Sequence, residues 1–305
     1  MLTAIIRFLA IVFLNLLISS ASLRAQTIKT GTGKVNNENF SYSYIEPAQD
    51  IKGILILLPG WGESTKSIFE KTKLPSLLLE KGFVTIVPQL HQTLFADDFA
   101  IAELNEITRM QSERYHSDHL PLIMGGLSAG GAIALGYAEH VLSLDTTNNL
   151  KAVFAIDPPL DLTRMYRSAE NKINYDCKNK LIKKEGDFIK KYLLDALKGT
   201  PEEHPDNYAK HSAFLATAAD GGNAKFLKSL PVRLYAEPDL DFVRNKYCDK
   251  LQFEDINAFD LEKLNTFLSG INNKAEYITT KGKGFHSWNI LDPNDCAEWI
   301  LRVEN

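Results

Sequence analysis

Residues Leu120–Gly136 read LPLIMGGLSAGGAIALG. An apolar run from Leu120 to Met124 meets Gly125-Gly126-Leu127-Ser128-Ala129-Gly130-Gly131, and small and apolar residues continue to Leu135. The order is strand, tight glycine turn, helix, with Ser128 at the apex. A G-x-S-x-G turn places its serine on a strained bend, so the hydroxyl projects clear of the backbone. Glycines flank it because a Cβ would clash where strand and helix cross. Chance alone supplies the pattern in about one chain in ten of this length, so its weight depends on the surrounding sequence.

That surrounding sequence alternates strands and helices. Ile51–Leu58 is a continuous apolar run ending at Pro59-Gly60, the mark of a strand buried on both faces. Ile68–Lys81 has helical spacing and stops at Gly82; Phe83–Val87 is the next strand and Asp97–Arg114 the next helix. After the serine turn and its helix to about Leu144 come strands at Lys151–Ile156, Pro231–Ala236 and Ala275–Thr279, with helices at about Ala258–Leu268 and Asp295–Val303. Upstream, alternating Phe40, Tyr42 and Tyr44 suit a half-buried edge strand. The pattern predicts an α/β fold with a mostly parallel sheet. One interval breaks it: between Ile156 and Pro231 a stripe of Leu181, Ile182, Phe188, Ile189, Tyr192, Leu193 and Leu197 predicts helix without strand. An all-helical insertion, residues 157–229, is expected to cap the carboxyl ends of the strands, with 26–156 and 230–305 forming the core.

The chain has 305 residues, 45% of them hydrophobic, a globular composition. With 34 Lys and Arg against 38 Asp and Glu the net charge is −4, with no basic block, which argues against nucleic-acid binding. Residues 1–25 differ in kind. Arg7, the apolar run from Phe8 to Ile18, and a small residue at Ala25 have the layout of a secretory signal. Cleavage there removes Arg7 and Arg24, taking the net charge from −4 to −6. The apolar run is shorter than the roughly 20 residues of a spanning helix, so no stable membrane insertion is expected after cleavage. The expected address is periplasmic or extracellular, where disulfides persist. Cys248 and Cys296 are candidates for a pair, and the odd count, with Cys177, leaves at least one thiol free or paired between chains. No C-x-x-C or His-rich cluster suggests a metal.

Acyl transfer by a serine needs a base, an acid that orients the base, and donors for the developing oxyanion. In strand–elbow–helix sequences these follow in the order Ser, acid, His. Of seven histidines only His286 follows both of the last two strands, in the loop Lys281-Gly282-Lys283-Gly284-Phe285-His286-Ser287-Trp288. Asp239, where the chain turns after Pro231–Ala236, is favoured as acid; Glu237, Asp241 and Asp157 compete with it. Asp241 is also placed to cap the following helix, and Glu237 to act as a supporting or surface group. The oxyanion donors are expected to be the backbone N–H groups of Ala129, next to the serine, and Trp61, in the loop Pro59-Gly60-Trp61-Gly62-Glu63. Trp61, Phe242, Phe285 and Trp288 lie near these residues in sequence and are candidates for pocket lining or for core.

LLPGWGES, GGLSAGG, YAEPD and GFHSW, in this order and spacing, resemble the α/β-hydrolase superfamily from about Phe40 to the C-terminus, and within it secreted esterase-like proteins. The resemblance implies an eight-stranded, mostly parallel sheet flanked by helices, with the helical cap between strands 6 and 7. It also implies a Ser-His-acid triad at the carboxyl edge and no cofactor. Ser128 would be nucleophile, His286 base, Asp239 acid, and Trp61 and Ala129 oxyanion donors. The family's frequent His-Gly before the oxyanion residue is Pro59-Gly60 here. The expected activity is hydrolysis of a carboxylic ester, with a small-molecule acylated substrate. A peptidase or amidase with the same triad, or a catalytically silent binding module, are the alternatives.

Overall fold

The computed structural model describes residues 27–48, 50–116, 119–144 and 148–304; the expected signal segment, 1–25, lies outside the described residues. Eight strands form one sheet: β1 (Lys29–Val35), β2 (Glu38–Ile45), β3 (Gly53–Leu58), β4 (Phe83–Gln89), β5 (Leu122–Leu127), β6 (Leu150–Ile156), β7 (Val232–Ala236) and β8 (Ala275–Thr279). Their spatial order is β1-β2-β4-β3-β5-β6-β7-β8. The β1–β2 and β2–β4 pairs are antiparallel and all others parallel.

Period-two alternation explains why the central strands are apolar throughout. In β3, Ile54, Ile56 and Leu58 enter one core cluster and Leu55 and Leu57 the other. The first cluster packs under α3 (Asp98–Arg114), α4 (Ala129–Ser143) and α9 (Ala258–Ser269). The second packs under α1 (Thr65–Lys71), α2 (Leu74–Leu79) and α10 (Pro293–Glu304), with Trp299 fully buried.

Two local expectations are corrected. The strand containing Phe40, Tyr42 and Tyr44 is not the edge: Asn36 and Asn37, both at positive φ, turn the chain tightly so that β1 covers it. The helix expected over Ile68–Lys81 is two helices, broken at Thr72-Lys73. Pro75, which has no N–H to donate, sits in the first turn of α2, where none is needed.

Between β6 and β7 lie α5 (Leu162–Asn174), α6 (Lys180–Leu197), α7 (Pro205–His211) and a 3-10 helix (Gly222–Ser229), with no strand. Leu162, Met165, Tyr166, Leu193, Leu197 and Tyr208 of this segment share a cluster with Leu94, Phe95 and Ala129, the residue after the elbow serine. The insertion is tied to the next lobe by a disulfide between Cys177 and Cys248, with Cα atoms 5.4 Å apart. Cys296 is buried and free. The expected Cys248–Cys296 pair is thereby overturned, because Cys296 points from α10 into the core on one face while Cys248 belongs to the cluster on the other.

Candidate active site

The serine turn has the geometry that its glycines predict. Ser128 stands at φ 55° and ψ −123°, between β5 and α4. A Cβ on Gly126 would lie 2.6 Å from backbone atoms of Leu58 and Gly130, and one on Gly130 only 2.3 Å from the Leu58 carbonyl oxygen. The two glycines of G-x-S-x-G are thus where strand, elbow and helix touch backbone to backbone. Strain of this kind persists only where its surroundings hold it. The Ser128 N–H donates to the Ile156 carbonyl at 2.8 Å.

That bond also brings an acidic residue beside the serine. In the β5–β6 ladder Leu127 pairs with Ile156, so the residues that follow each strand, Ser128 and Asp157, leave the sheet side by side. Asp157 is 2% exposed and at φ 45°, with its N–H donating to the Tyr235 carbonyl at 2.8 Å. Its own carbonyl accepts from Asn257 Nδ2 at 3.0 Å. His286 Nδ1 lies 2.5 Å from Asp157 Oδ2. A carboxylate oxygen accepts, so Nδ1 carries the proton and Nε2 is left as the basic nitrogen of the neutral ring. Burial pushes the His286 pKa down, but the hydrogen bond and charge of Asp157 outweigh it and raise it above 6.5.

The favoured acid, Asp239, is not at His286. Its side chain caps α8 (Leu240–Lys246), accepting from the Phe242 N–H at 2.9 Å. A helix N-terminus offers unpaired N–H groups, and an aspartate at the cap position takes one. Asp241, one residue into that helix, lies in its first turn rather than at the cap. Glu237 is only 3% exposed and holds the histidine loop instead. It accepts from Thr280 Oγ1 at 3.0 Å, the Lys283 N–H at 2.6 Å and the Phe285 N–H at 2.9 Å. Burial would raise its pKa; the backbone donors prevail and hold it below the ordinary value. Asp157, numbered with the insertion on the sequence pattern, belongs to the sheet edge.

Ala129 opens α4, and the first N–H groups of a helix have no intrahelical acceptor. Trp61 sits in a turn closed by a Glu63 N–H bond to the Gly60 carbonyl at 3.1 Å. Trp61, Gly62 and Ala129 line one small cavity. Glu63, which the sequence pattern did not single out, bridges two loops. Its carboxylate accepts from the Gly60 N–H at 2.7 Å and from Trp288 Nε1 at 3.1 Å, and pairs with Lys71. The oxyanion-loop candidate is therefore tied to a residue two positions beyond His286. Trp288 is buried, and Trp61 packs edge-on against Phe188 and Tyr192 of α6, with ring centroids 5.3 and 5.4 Å away. Phe285 lines a cavity beside His286 and contacts Phe242. Among the other histidines, His91 is held between Asp97 and Glu103, whose hydrogen bonds raise its pKa to about 9. A structural role for His91 accounts for that arrangement.

A mostly parallel eight-stranded sheet in this order, with a serine elbow after β5 and a histidine loop after β8, is the α/β-hydrolase fold. The solved structures it resembles include a Rhizomucor miehei esterase, with a TM-score of 0.61 and 15% identity over 95% of this chain and 88% of the other. An esterase of Pyrococcus furiosus matches with a TM-score of 0.57 and 13% identity, over 92% and 94%. An S-formylglutathione hydrolase from Agrobacterium tumefaciens matches with a TM-score of 0.60 and 9% identity, over 92% and 96%. No protein-family model and no curated protein sequence matches the chain significantly. Among the described residues, no helix is long and apolar enough to cross a membrane, and no cluster of three His, Cys, Asp or Glu could hold a metal ion.

Proposed function

We propose that this chain is an exported serine hydrolase that cleaves carboxylic esters through an acyl-enzyme, with Ser128 as nucleophile, His286 as base and Asp157 as the acid that orients it. The observation that carries this reading is the His286–Asp157 hydrogen bond beside the strained serine elbow. Ser128 Oγ attacks the acyl carbon while His286 Nε2 takes the hydroxyl proton. The Trp61 and Ala129 N–H groups receive the developing oxyanion. The intermediate collapses as His286 returns the proton to the departing alcohol oxygen. Water then attacks the acyl-enzyme by the same route and frees the acid and Ser128. The insertion acts as the cap: its helix α6 packs Phe188 and Tyr192 on Trp61 and lines the His286 cavity with Ile182 and Glu185. The signal pattern in residues 1–25 and the Cys177–Cys248 bridge support export to an oxidising compartment.

Fluorophosphonate labelling of the mature protein, beside Ser128→Ala, tests the nucleophile. Labelling of the wild type alone is the expected result. No labelling of the folded wild type, or equal labelling of both, would overturn the assignment.

A further inference from the structure

Asn257 precedes α9 at the position where a helix takes a side-chain cap, yet its side chain makes no cap bond. Asparagine is among the residues best suited to that task. Its Nδ2 instead donates to the Asp157 carbonyl at 3.0 Å, across 100 residues of chain. Its Oδ1 faces the Arg164 guanidinium, with Nη2 3.5 Å away, so the NH₂ side of the amide is the side turned toward the carbonyl. Asp260, in the first turn of the same helix and 1% exposed, is spent on the same loop. Its Oδ2 accepts from the Leu160 and Asp161 N–H groups at 2.8 and 3.1 Å, and both its oxygens pair with Arg164.

The loop that these two residues hold is Asp157-Pro158-Pro159-Leu160-Asp161, which leaves β6. Its prolines have no N–H. The loop therefore offers three, and all are taken: that of Asp157 by the Tyr235 carbonyl and the other two by Asp260. Asp157 stands at φ 45°, although a residue before proline is normally extended. Such a conformation persists only where its surroundings over-determine it. With its N–H on β7 and its carbonyl on Asn257, Asp157 has both backbone groups fixed while its carboxylate reaches His286.

We infer that Asn257 is a positioning residue of the active site: its NH₂ holds the Asp157 backbone in the positive-φ turn that aims the carboxylate at His286. Asp260 fixes the far end of the same loop. The inference rests on the proposed triad, because the hold matters to hydrolysis only if Asp157 orients the base.

Asn257→Ser tests this. Serine caps a helix about as well as asparagine, and the position is only half-buried, so a purely structural role predicts no change. The serine hydroxyl stops short of the Asp157 carbonyl. With 4-nitrophenyl acetate, kcat is expected to fall about tenfold, with KM within about twofold of the wild type. In the Asp157→Asn background the same substitution should cost less than about twofold further, because its effect runs through Asp157. A similar loss in both backgrounds overturns the inference, as does no loss in the folded single variant of an active wild type.

Proton NMR reads the His286–Asp157 pair without turnover. The wild type should show a far-downfield His286 Nδ1–H resonance that broadens or vanishes in Asn257→Ser, and the His286 titration midpoint should fall. Asp157 itself, Glu63 and Glu185 remain in the variant and still favour the imidazolium, so the midpoint moves only part of the way back toward 6.5. These changes support the hold on the pair even if the wild type hydrolyses nothing, a result that would count against the triad alone. An unmoved resonance and midpoint overturn the inference whatever the kinetics. If Asn257→Ser does not fold, hydrogen exchange of the Asn257 side-chain amide in the wild type decides: slow exchange supports the bond, and exchange at the rate of a free amide overturns it.

Discussion

His286 Nδ1 meets Asp157 Oδ2 at 2.5 Å across 129 residues of chain, and Asp157 leaves the sheet beside Ser128 because Leu127 and Ile156 are in register. Asp239, one strand further along, spends its side chain on the N-terminus of α8. In the proposed triad the two aspartates therefore separate chemistry from stability. Asp157→Asn leaves His286 free to adopt the wrong tautomer and is expected to lower kcat by roughly 10⁴-fold. Asp239→Ala is expected to cost about 1 kcal/mol of stability through the lost cap and to leave kcat within a few-fold. Ester kinetics and melting of both variants check the pair.

The pH profile follows from the same contact. As the proposed base His286 must be neutral, and Asp157 raises its pKa above 6.5. Activity is therefore lost as pH falls through that raised value, and the acidic limb of kcat/KM has its midpoint above 6.5. Asp157→Asn removes the charge that favours imidazolium. The midpoint of its residual activity should move to lower pH, and an unmoved limb would detach the profile from this pair.

Legibility in the sequence divides along physical lines. Ser128, Ala129 and Trp61 sit in strand-to-helix turns, whose glycines are local requirements written in adjacent residues. Chain order alone singles out His286 as the candidate base, since only one histidine follows β8. The candidate acid is less sharply marked: order admits Asp157, Glu237, Asp239 and Asp241, and the turn after Pro231–Ala236 favours Asp239. What distinguishes Asp157 is the adjacency of β5 and β6, a long-range fact that no local pattern encodes. Asp239 misled for a local reason: an aspartate before a short amphipathic segment is also what an N-cap looks like. Glu63 and Trp288 were not seen together, as 225 residues separate them. The disulfide had the same difficulty, with three cysteines and no spacing rule to choose a pair.

Glu237 gives a prediction about loop order. Its carboxylate gathers one hydroxyl and two backbone N–H groups from Thr280, Lys283 and Phe285. A glutamine offers a single carbonyl oxygen and turns its NH₂ toward donors. Glu237→Gln is expected to lose about 2 kcal/mol, the scale of hydrogen bonds to a charged group, and to reduce kcat about tenfold through a less fixed His286. Faster hydrogen exchange at the Phe285 amide would locate the change. Because the folded pKa of Glu237 lies below its ordinary value, its contribution is present above the unfolded pKa and fades as pH falls through the folded one. The stability gap between wild type and variant should close on acidification.

The Cys177–Cys248 bridge joins residues 71 apart in sequence, linking the end of α5 to the chain just after α8. Closing a loop of that length restricts the unfolded chain by roughly 4 kcal/mol in the chain-entropy model. Cys177→Ala with Cys248→Ala should therefore melt several degrees lower than the wild type. Alkylation of the native oxidised protein should label no cysteine, since Cys296 is buried and burial pushes its thiol up to about 12. Labelling of Cys296 should require unfolding, and its modification in the native state would contradict the packing of α10.

Glu139 lies on α4 eleven residues beyond Ser128, 3% exposed, and both its carboxyl oxygens are without a hydrogen bond among the described residues. Burial holds its pKa well above the ordinary carboxyl value. His140, Lys210, His211 and Asp98 line the same cavity of about 200 Å³. The native state therefore keeps the Glu139 proton where the unfolded chain releases it, so stability falls as pH rises from the unfolded pKa toward the folded one. Glu139→Gln is close in shape and neutral at every pH. It should melt a few degrees higher than the wild type at pH 7, at roughly 2 °C for each kcal/mol in a chain of this size, and the difference should vanish by about pH 4. Burial also lowers the pKa of His211, but His211 is present in both proteins and largely cancels in the difference. A gap between the two melting curves that stays constant from pH 4 to pH 8 would mean that Glu139 does not carry its proton in the folded state.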